Sequence, residues 1–212
     1  GATERVQSVF FTTTFALMGY VAKSDGKVTI DEIAMAERVM DQMRLNPQQR
    51  TVAINLFNEG KKPDFPIHEV LAQFKRESFR RRNLIQIFLE IIVATAFADG
   101  RLDAREKTLI EGIARDLGYS KPEFDALISR LSGQAQFADS ESSKDKIKAS
   151  YELLGVSPKC SEAELKKAYR RQMNQHHPDK LVAKGLPEEM IDIATEKTQA
   201  IKAAYDLIKE QR

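Results

Sequence analysis

Apolar residues recur at intervals of three and four along almost the whole chain, and the strict alternation typical of β-strands is scarce. This pattern predicts an all-α protein. The first part of the chain has predicted helices at 4–22, 30–44, 47–59, 66–78, 80–98, 104–117 and 121–131. Asn46 before Pro47 has the sequence of a helix N-cap, and Gly118 stands where a helix would end.

The pattern changes after residue 131. The stretch SGQAQFADSESSKDK, at 132–146, is polar and rich in serine, with little to bury. This composition predicts a flexible linker over 132–147. The chain is therefore divided into a larger helical unit, 1–131, and a small helical unit, 148–212.

The larger unit contains an internal repeat, because YVAKSDGKVTIDEIAMAERVM matches ATAFADGRLDAREKTLIEGIA. The aligned positions are Asp25-Gly26 with Asp99-Gly100, Thr29 with Asp103, Glu32 with Glu106, and Val39 with Ile113. Each copy predicts a helix, an Asp-Gly turn and a second helix. A calcium EF-hand needs oxygen ligands at the first and third loop positions, which here would be Val21, Lys23, Thr95 and Phe97. The spacing therefore favours structural turns followed by capping boxes over a calcium site.

The small unit contains an amphipathic helix that ends in an unusual tripeptide. Ser161 and Glu164 have capping-box spacing, and the predicted helix continues to His176. One face is apolar, with Leu165, Ala168, Tyr169 and Met173. The opposite face is a basic stripe within an arc of about 140°, formed by Lys166, Lys167, Arg170 and Arg171. Pro178 stops this helix by disfavouring helical geometry at His177.

A further helix after the loop KLVAKGLPEE carries a second apolar stripe, formed by Met190, Ala194, Ile201, Ala204, Tyr205 and Ile208. This stripe can pack antiparallel on the apolar face of the basic helix. The prediction is a helical hairpin with His177, Pro178 and Asp179 at its exposed tip.

The chemistry of the tip favours a contact surface over a metal or catalytic site. Zinc ligands on a helix lie one turn apart, whereas His176 and His177 are adjacent, and the one other histidine is His68 in the larger unit. A rigid proline separates His177 from Asp179, and no nucleophile motif or glycine-rich phosphate loop accompanies them. A simple helix stop is the remaining alternative, but it leaves the basic stripe unexplained.

The small unit resembles a J domain of the DnaJ type over about 149–212, through YELLGV, AELKKAYRRQMNQHHPDK and KTQAIKAAYDLI. The repeat unit, about 5–131, resembles the TerB-like family. The J-domain resemblance implies that the chain docks on a DnaK-class chaperone and stimulates its ATP hydrolysis, without being an enzyme and without a cofactor. The residues that it assigns to DnaK contact are His177, Pro178, Asp179, Lys166, Lys167, Arg170 and Arg171.

The pairing of the two units resembles a family of bacterial membrane-anchored co-chaperones. That resemblance places a membrane segment just before residue 1 and the protein on the cytoplasmic face of the inner membrane, with this chain itself soluble. The N-terminal unit would select client proteins. The sequence is also compatible with a homodimer. The competing hypothesis is a metal- or anion-responsive stress protein that acts through the TerB-like unit at Asp25 and Asp99.

Composition limits the other classes of function. The 212 residues carry a net charge of +2, with 42% hydrophobic and 30% charged residues, as in soluble globular proteins. This charge balance gives no reason to expect nucleic-acid binding, although the stretch from Phe74 to Arg82 is locally basic. A single cysteine, Cys160, excludes an intramolecular disulfide. The most apolar run, 84–98, is too short for a bilayer and contains Gln86 and Glu90.

Overall fold

The computed structural model describes residues 1–24, 26, 28–97 and 102–212. Within these ranges the regular elements are helices, which confirms the predicted all-α class. The α-helices are α1 (Ala2–Ala22), α2 (Ile30–Asp41), α3 (Pro47–Gly60), α4 (Ile67–Glu77), α5 (Arg82–Ala96), α6 (Ala104–Asp116), α7 (Lys121–Asp139), α8 (Ser143–Leu154), α9 (Glu162–Gln175), α10 (Pro178–Lys184) and α11 (Ile191–Gln211). A short 3₁₀ turn, Glu188–Met190, precedes α11.

Helices α1 and α5 form the centre of the N-terminal unit. An aromatic cluster joins them to α4: the ring of Phe88 lies 5.9 Å from that of Phe10 and 4.4 Å from that of Phe74. Helices α1 and α3 cross closely, since an added Cβ at Gly19 would lie 1.9 Å from the carbonyl oxygen of Phe57. Only glycine permits this backbone approach.

Both copies of the repeat begin their second helix with a side-chain N-cap at the first residue of the predicted capping box. The side chain of Thr29 accepts a hydrogen bond from the Glu32 amide at 3.1 Å. Asp103 accepts one from the Arg105 amide at 2.8 Å. These bonds satisfy amides that a helix start leaves without a partner. Asp25, Asp99 and Gly100, on which the predicted Asp-Gly turns depend, lie outside the described residues.

The segment 132–147, for which the sequence predicts a flexible linker, is mostly helical. Helix α7 continues to Asp139, and α8 begins at Ser143. Both helices are stabilised by their close crossing. An added Cβ at Gly133 would lie only 2.5 Å from the Leu153 amide nitrogen. Phe137 and Ile147 also pack on the C-terminal core. The boundaries of the two units stay predictions.

The C-terminal unit has its own core between α8, α9 and α11. Leu165 and Ile201 are buried there, and the rings of Tyr169 and Tyr205 stack at 4.0 Å. This is the predicted antiparallel packing of α9 on α11. Helix α10, which begins at Pro178, was not predicted from the sequence.

Part of the C-terminal unit lies in the N-terminal core. The residues concerned follow the tip, and they are Leu181, Leu186, Met190, Ile193 and Ala194. The predicted packing of Met190 and Ala194 on α9 is therefore wrong. These side chains instead join a cluster that includes α1 and α5, because the chain turns sharply at Gly185 (φ 120°) against Val6.

Candidate partner-binding surface

The tip is a rigid junction between two helices. Helix α9 ends at Gln175, His177 is in extended geometry (φ −61°, ψ 118°), and Pro178 begins α10. The side chains of His177 and Asp179 are exposed. Within the described part of the chain, neither side chain forms a hydrogen bond or an ion pair. Both are therefore available to a partner in a fixed geometry.

The basic stripe of α9 is exposed along its length. All four of its residues, Lys166, Lys167, Arg170 and Arg171, are exposed, and none forms an ion pair with another described residue. The four side chains of the stripe face two different directions. Lys167 and Arg171 line a groove against the N-terminal unit, whereas Lys166 and Arg170 are not among the residues that line it.

His176 has a different position from His177, because it is buried between the two units. Its Nδ1 lies 2.8 Å from the carbonyl oxygen of Gln172, and its Nε2 lies 2.8 and 2.9 Å from the two carboxylate oxygens of Glu90. A carbonyl oxygen and an ionised carboxylate only accept hydrogen bonds, so each ring nitrogen of His176 faces an acceptor. His176 therefore links the end of α9 to Glu90 of α5.

Glu90 is the buried anion of this junction. Burial alone would raise its pKa, but the charges of His176, Lys197 and Arg130 and the His176 hydrogen bond lower the pKa to about 2. The Nζ of Lys197 lies 4.0 Å from Glu90 Oε1 and donates to Gln134 at 3.1 Å. The carboxylate thus stays ionised at neutral pH and connects α5 to both α9 and α11.

Polar contacts continue the junction on the other side of the tip. Arg44 forms a bidentate pair with Asp192, at 2.9 and 2.8 Å, and its amide donates to the carbonyl of Glu189 at 2.7 Å. Gln7 donates to the carbonyl of Leu186 at 3.1 Å. These contacts hold the chain that follows α10 on α1 and on the connection between α2 and α3, so the tip projects from a fixed base.

Other residues singled out in the sequence lie away from the tip. In the basic run, Phe79 is 67% exposed, and Arg82 pairs with Glu123. Cys160 is half-buried, with its Sγ 3.3 Å from the Arg212 guanidinium. Among the described residues, no group of three histidine, cysteine or acidic side chains could hold a metal ion. Asp25 and Asp99, at which the competing hypothesis places a metal-responsive site, lie outside the described residues.

The hydropathy of the helices gives a separate result. No helix in the described part of the chain combines the length and the apolar character that crossing a bilayer requires.

Comparison with known proteins matches both units. The family model "Tellurite resistance protein TerB" matches residues 12–129, and "DnaJ domain" matches 149–212. Co-chaperone protein DjlA of Shewanella oneidensis is 45% identical over 213 residues, covering 100% of this chain and 81% of the relative. DjlA of Photorhabdus laumondii is 42% identical over 219 residues, covering 97% and 80%. DjlA of Escherichia coli (strain K12) is 41% identical over 218 residues, covering 97% and 80%.

No solved structure matches the chain. The TerB-like and DnaJ-type resemblances are confirmed by the two family models, which follow one another in the expected order. Because the similarity to the relatives also extends over 96% or more of the chain, the chain belongs to the family of the co-chaperone protein DjlA.

Proposed function

We propose that the chain is a co-chaperone that binds a DnaK-class chaperone and stimulates its ATP hydrolysis. The observation that carries the proposal is the tip: His177 and Asp179 are exposed, have no partner in the described part of the chain, and stand at the end of an exposed basic stripe. The name of the relatives, co-chaperone protein DjlA, supports it.

The physical roles follow from position. The four cations of the stripe attract an acidic partner surface and set its orientation, which raises the association rate more than it raises the affinity. Asp179, fixed in the first turn of α10, reaches a partner cation in a charge-assisted contact. The ATP chemistry belongs to the partner, and this chain supplies contacts that change the partner's conformation.

The wider setting of this function rests on the family resemblance. The proposal includes recruitment of client proteins by the N-terminal unit and action at the cytoplasmic face of a bacterial inner membrane.

The test is single-turnover ATP hydrolysis by purified DnaK with and without the chain. We expect His177→Gln to remove at least nine-tenths of the stimulation, since this side chain is exposed and contributes directed contacts to a partner. His68→Gln is the matched control, because His68 is an exposed histidine on α4, and it should stimulate as the wild-type chain does. No stimulation by the wild-type chain would refute the proposal.

A further inference from the structure

A groove of about 380 Å³ runs between α7 of the N-terminal unit and α9 of the J domain. Its size is within the range of small ligand sites, roughly 300–1,000 Å³. Side chains from both units form its walls. Those able to bind an anion or a peptide backbone are Arg82, Arg130, Lys167, Arg171, Gln86, Gln172 and Gln175.

The cations of this groove outnumber the anions that face it. Arg82 is neutralised by Glu123 and lies over the ring of Tyr119, with its guanidinium carbon 4.2 Å from the ring centre. Glu164, at the rim, accepts a hydrogen bond from Ser161 in the cap of α9. The nearest buried carboxylate, Glu90, is held by His176.

Three cations remain without a hydrogen-bonded anion in the described part of the chain: Arg130, Lys167 and Arg171. Arg130 is the most informative of them. Burial lowers its pKa, Glu90 and Tyr119 act in the opposite direction, and Arg171 lowers it further.

A guanidinium stays charged at every accessible pH, so Arg130 cannot respond to burial by losing its proton. The guanidinium nitrogens of Arg130 reach the groove, since none of them is among the buried side-chain nitrogens that lack a hydrogen-bond partner, and they can donate to a group that enters it. Arg130 forms no hydrogen bond with the described residues, and its stem packs near Gly155, whose added Cβ would lie 3.4 Å from Arg130 Cδ. The position is thus prepared for an anionic group that enters from the groove.

We propose that this groove receives an acidic peptide segment of the DnaK-class partner, with Arg130 of the N-terminal unit binding a carboxylate of that segment. The inference rests on the proposed function and adds to it a contact made by the unit outside the J domain. Two observations favour a peptide over a small anion. The groove is continuous with the stripe through Lys167 and Arg171. The side-chain amides of Gln172 and Gln175 also line it as donors for a peptide backbone, whereas the amide of Gln86 donates to Glu90 and Gln175.

The test is the affinity of the full chain for DnaK, measured by fluorescence anisotropy at low and at physiological salt. We expect Arg130→Gln to weaken binding about tenfold at low salt and to reduce the salt dependence, because one desolvated charge contact is lost. Arg115→Gln, an exposed arginine on α6, is the matched control and should bind as the wild type does. Arg130→Lys, which keeps the charge without the planar fork, should recover part of the affinity.

Arg130→Met keeps the packing of the stem and is the variant to use if Arg130→Gln melts early. Wild-type affinity of either folded variant for DnaK would overturn the inference. Binding of inorganic phosphate provides a second measurement. Suppose that the wild-type chain binds phosphate at millimolar concentration, that Arg130→Met loses this phosphate binding, and that Arg130→Met still binds DnaK as the wild type does. The groove is then a small-anion site and the inference is wrong. Failure of the proposed function is distinguishable, since then the wild-type chain itself would not stimulate DnaK.

Discussion

At the scale of single residues, the two adjacent histidines have opposite environments. His176 is buried as the partner of Glu90, and His177 is exposed with no partner in the described part of the chain. His177 was predicted to be a contact residue, whereas no role was predicted for His176. A signal was present in Glu90, a carboxylate in a strongly apolar helix, which requires a buried cation. The partner is 86 positions away in sequence, and one sequence does not reveal such a pairing.

The buried pair makes a pH-dependent contribution to stability. The pKa of Glu90 is lowered from 4.5 to about 2 in the folded chain, which corresponds to about 3 kcal/mol. Because the folded pKa is the lower one, this contribution is complete above pH 4.5 and is lost as the pH falls towards 2. Glu90→Gln should therefore lower the free energy of unfolding at pH 7 by about 3 kcal/mol, measured by urea denaturation.

The difference between the variant and the wild type should shrink steadily below pH 4.5. Glu59→Gln is the control, since Glu59 is an exposed glutamate paired with Lys62 on the surface, and its stability should stay near that of the wild type. A Glu90→Gln difference that is the same at pH 7 and pH 3 would show that Glu90 is not an ionised partner of His176.

At the scale of helices, local signals predicted most of the fold. Thr29, Asn46 and Asp103 are N-caps, and Pro178 ends α9 where predicted. These are interactions between neighbours in sequence, so the sequence displays them. The helical nature of 132–147 depends instead on the α7–α8 crossing at Gly133. The segment was predicted as a linker because it is polar and rich in serine, and this composition does not reveal that Gly133 permits a close helix crossing.

Two glycines provide a matched test of this crossing. An added Cβ at Gly133 would lie 2.5 Å from the backbone of α8, whereas at Gly112, on α6, it would have nothing within 4 Å. Gly133→Ala should destabilise the chain by about 1–3 kcal/mol through overpacking. Gly112→Ala should be neutral or stabilise by up to about 1 kcal/mol, since alanine favours a helix.

Limited proteolysis gives the second readout. The wild-type chain should be cut first at the short connection 140–142, and Gly133→Ala should spread cleavage over 132–147. Equal stability of the two alanine variants, or wild-type cleavage throughout 132–147, would mean that this segment is the flexible linker that the composition suggested.

At the scale of the whole molecule, the two units share a core. Leu181 and Leu186, which follow the tip, are buried against the N-terminal unit. The amphipathic pattern in the sequence showed which side chains are apolar, but not which of two neighbouring cores would receive them. As a result, the hairpin was predicted correctly and its docking was not. The docking leaves the tip exposed, and it places Arg130 beside the basic stripe.

A shared core predicts shared unfolding. The wild-type chain should show one transition in scanning calorimetry. Leu186→Ala should lower the stability of the entire chain by about 2–5 kcal/mol, because it leaves a cavity among N-terminal side chains. Two transitions in the wild type, with only the smaller one moved by Leu186→Ala, would contradict the docked arrangement.

The central claim is that the tip acts on the partner's ATPase while the stripe brings the partner to it. The most direct measurement is single-turnover ATP hydrolysis by DnaK, titrated against the wild-type chain, His177→Gln and the double variant Lys166→Glu with Arg170→Glu. The stripe variant should require more chain to reach a near wild-type maximal rate, because charge reversal weakens encounter. His177→Gln should keep a maximal rate close to that of DnaK alone at every concentration. A normal maximal rate with His177→Gln would contradict the account.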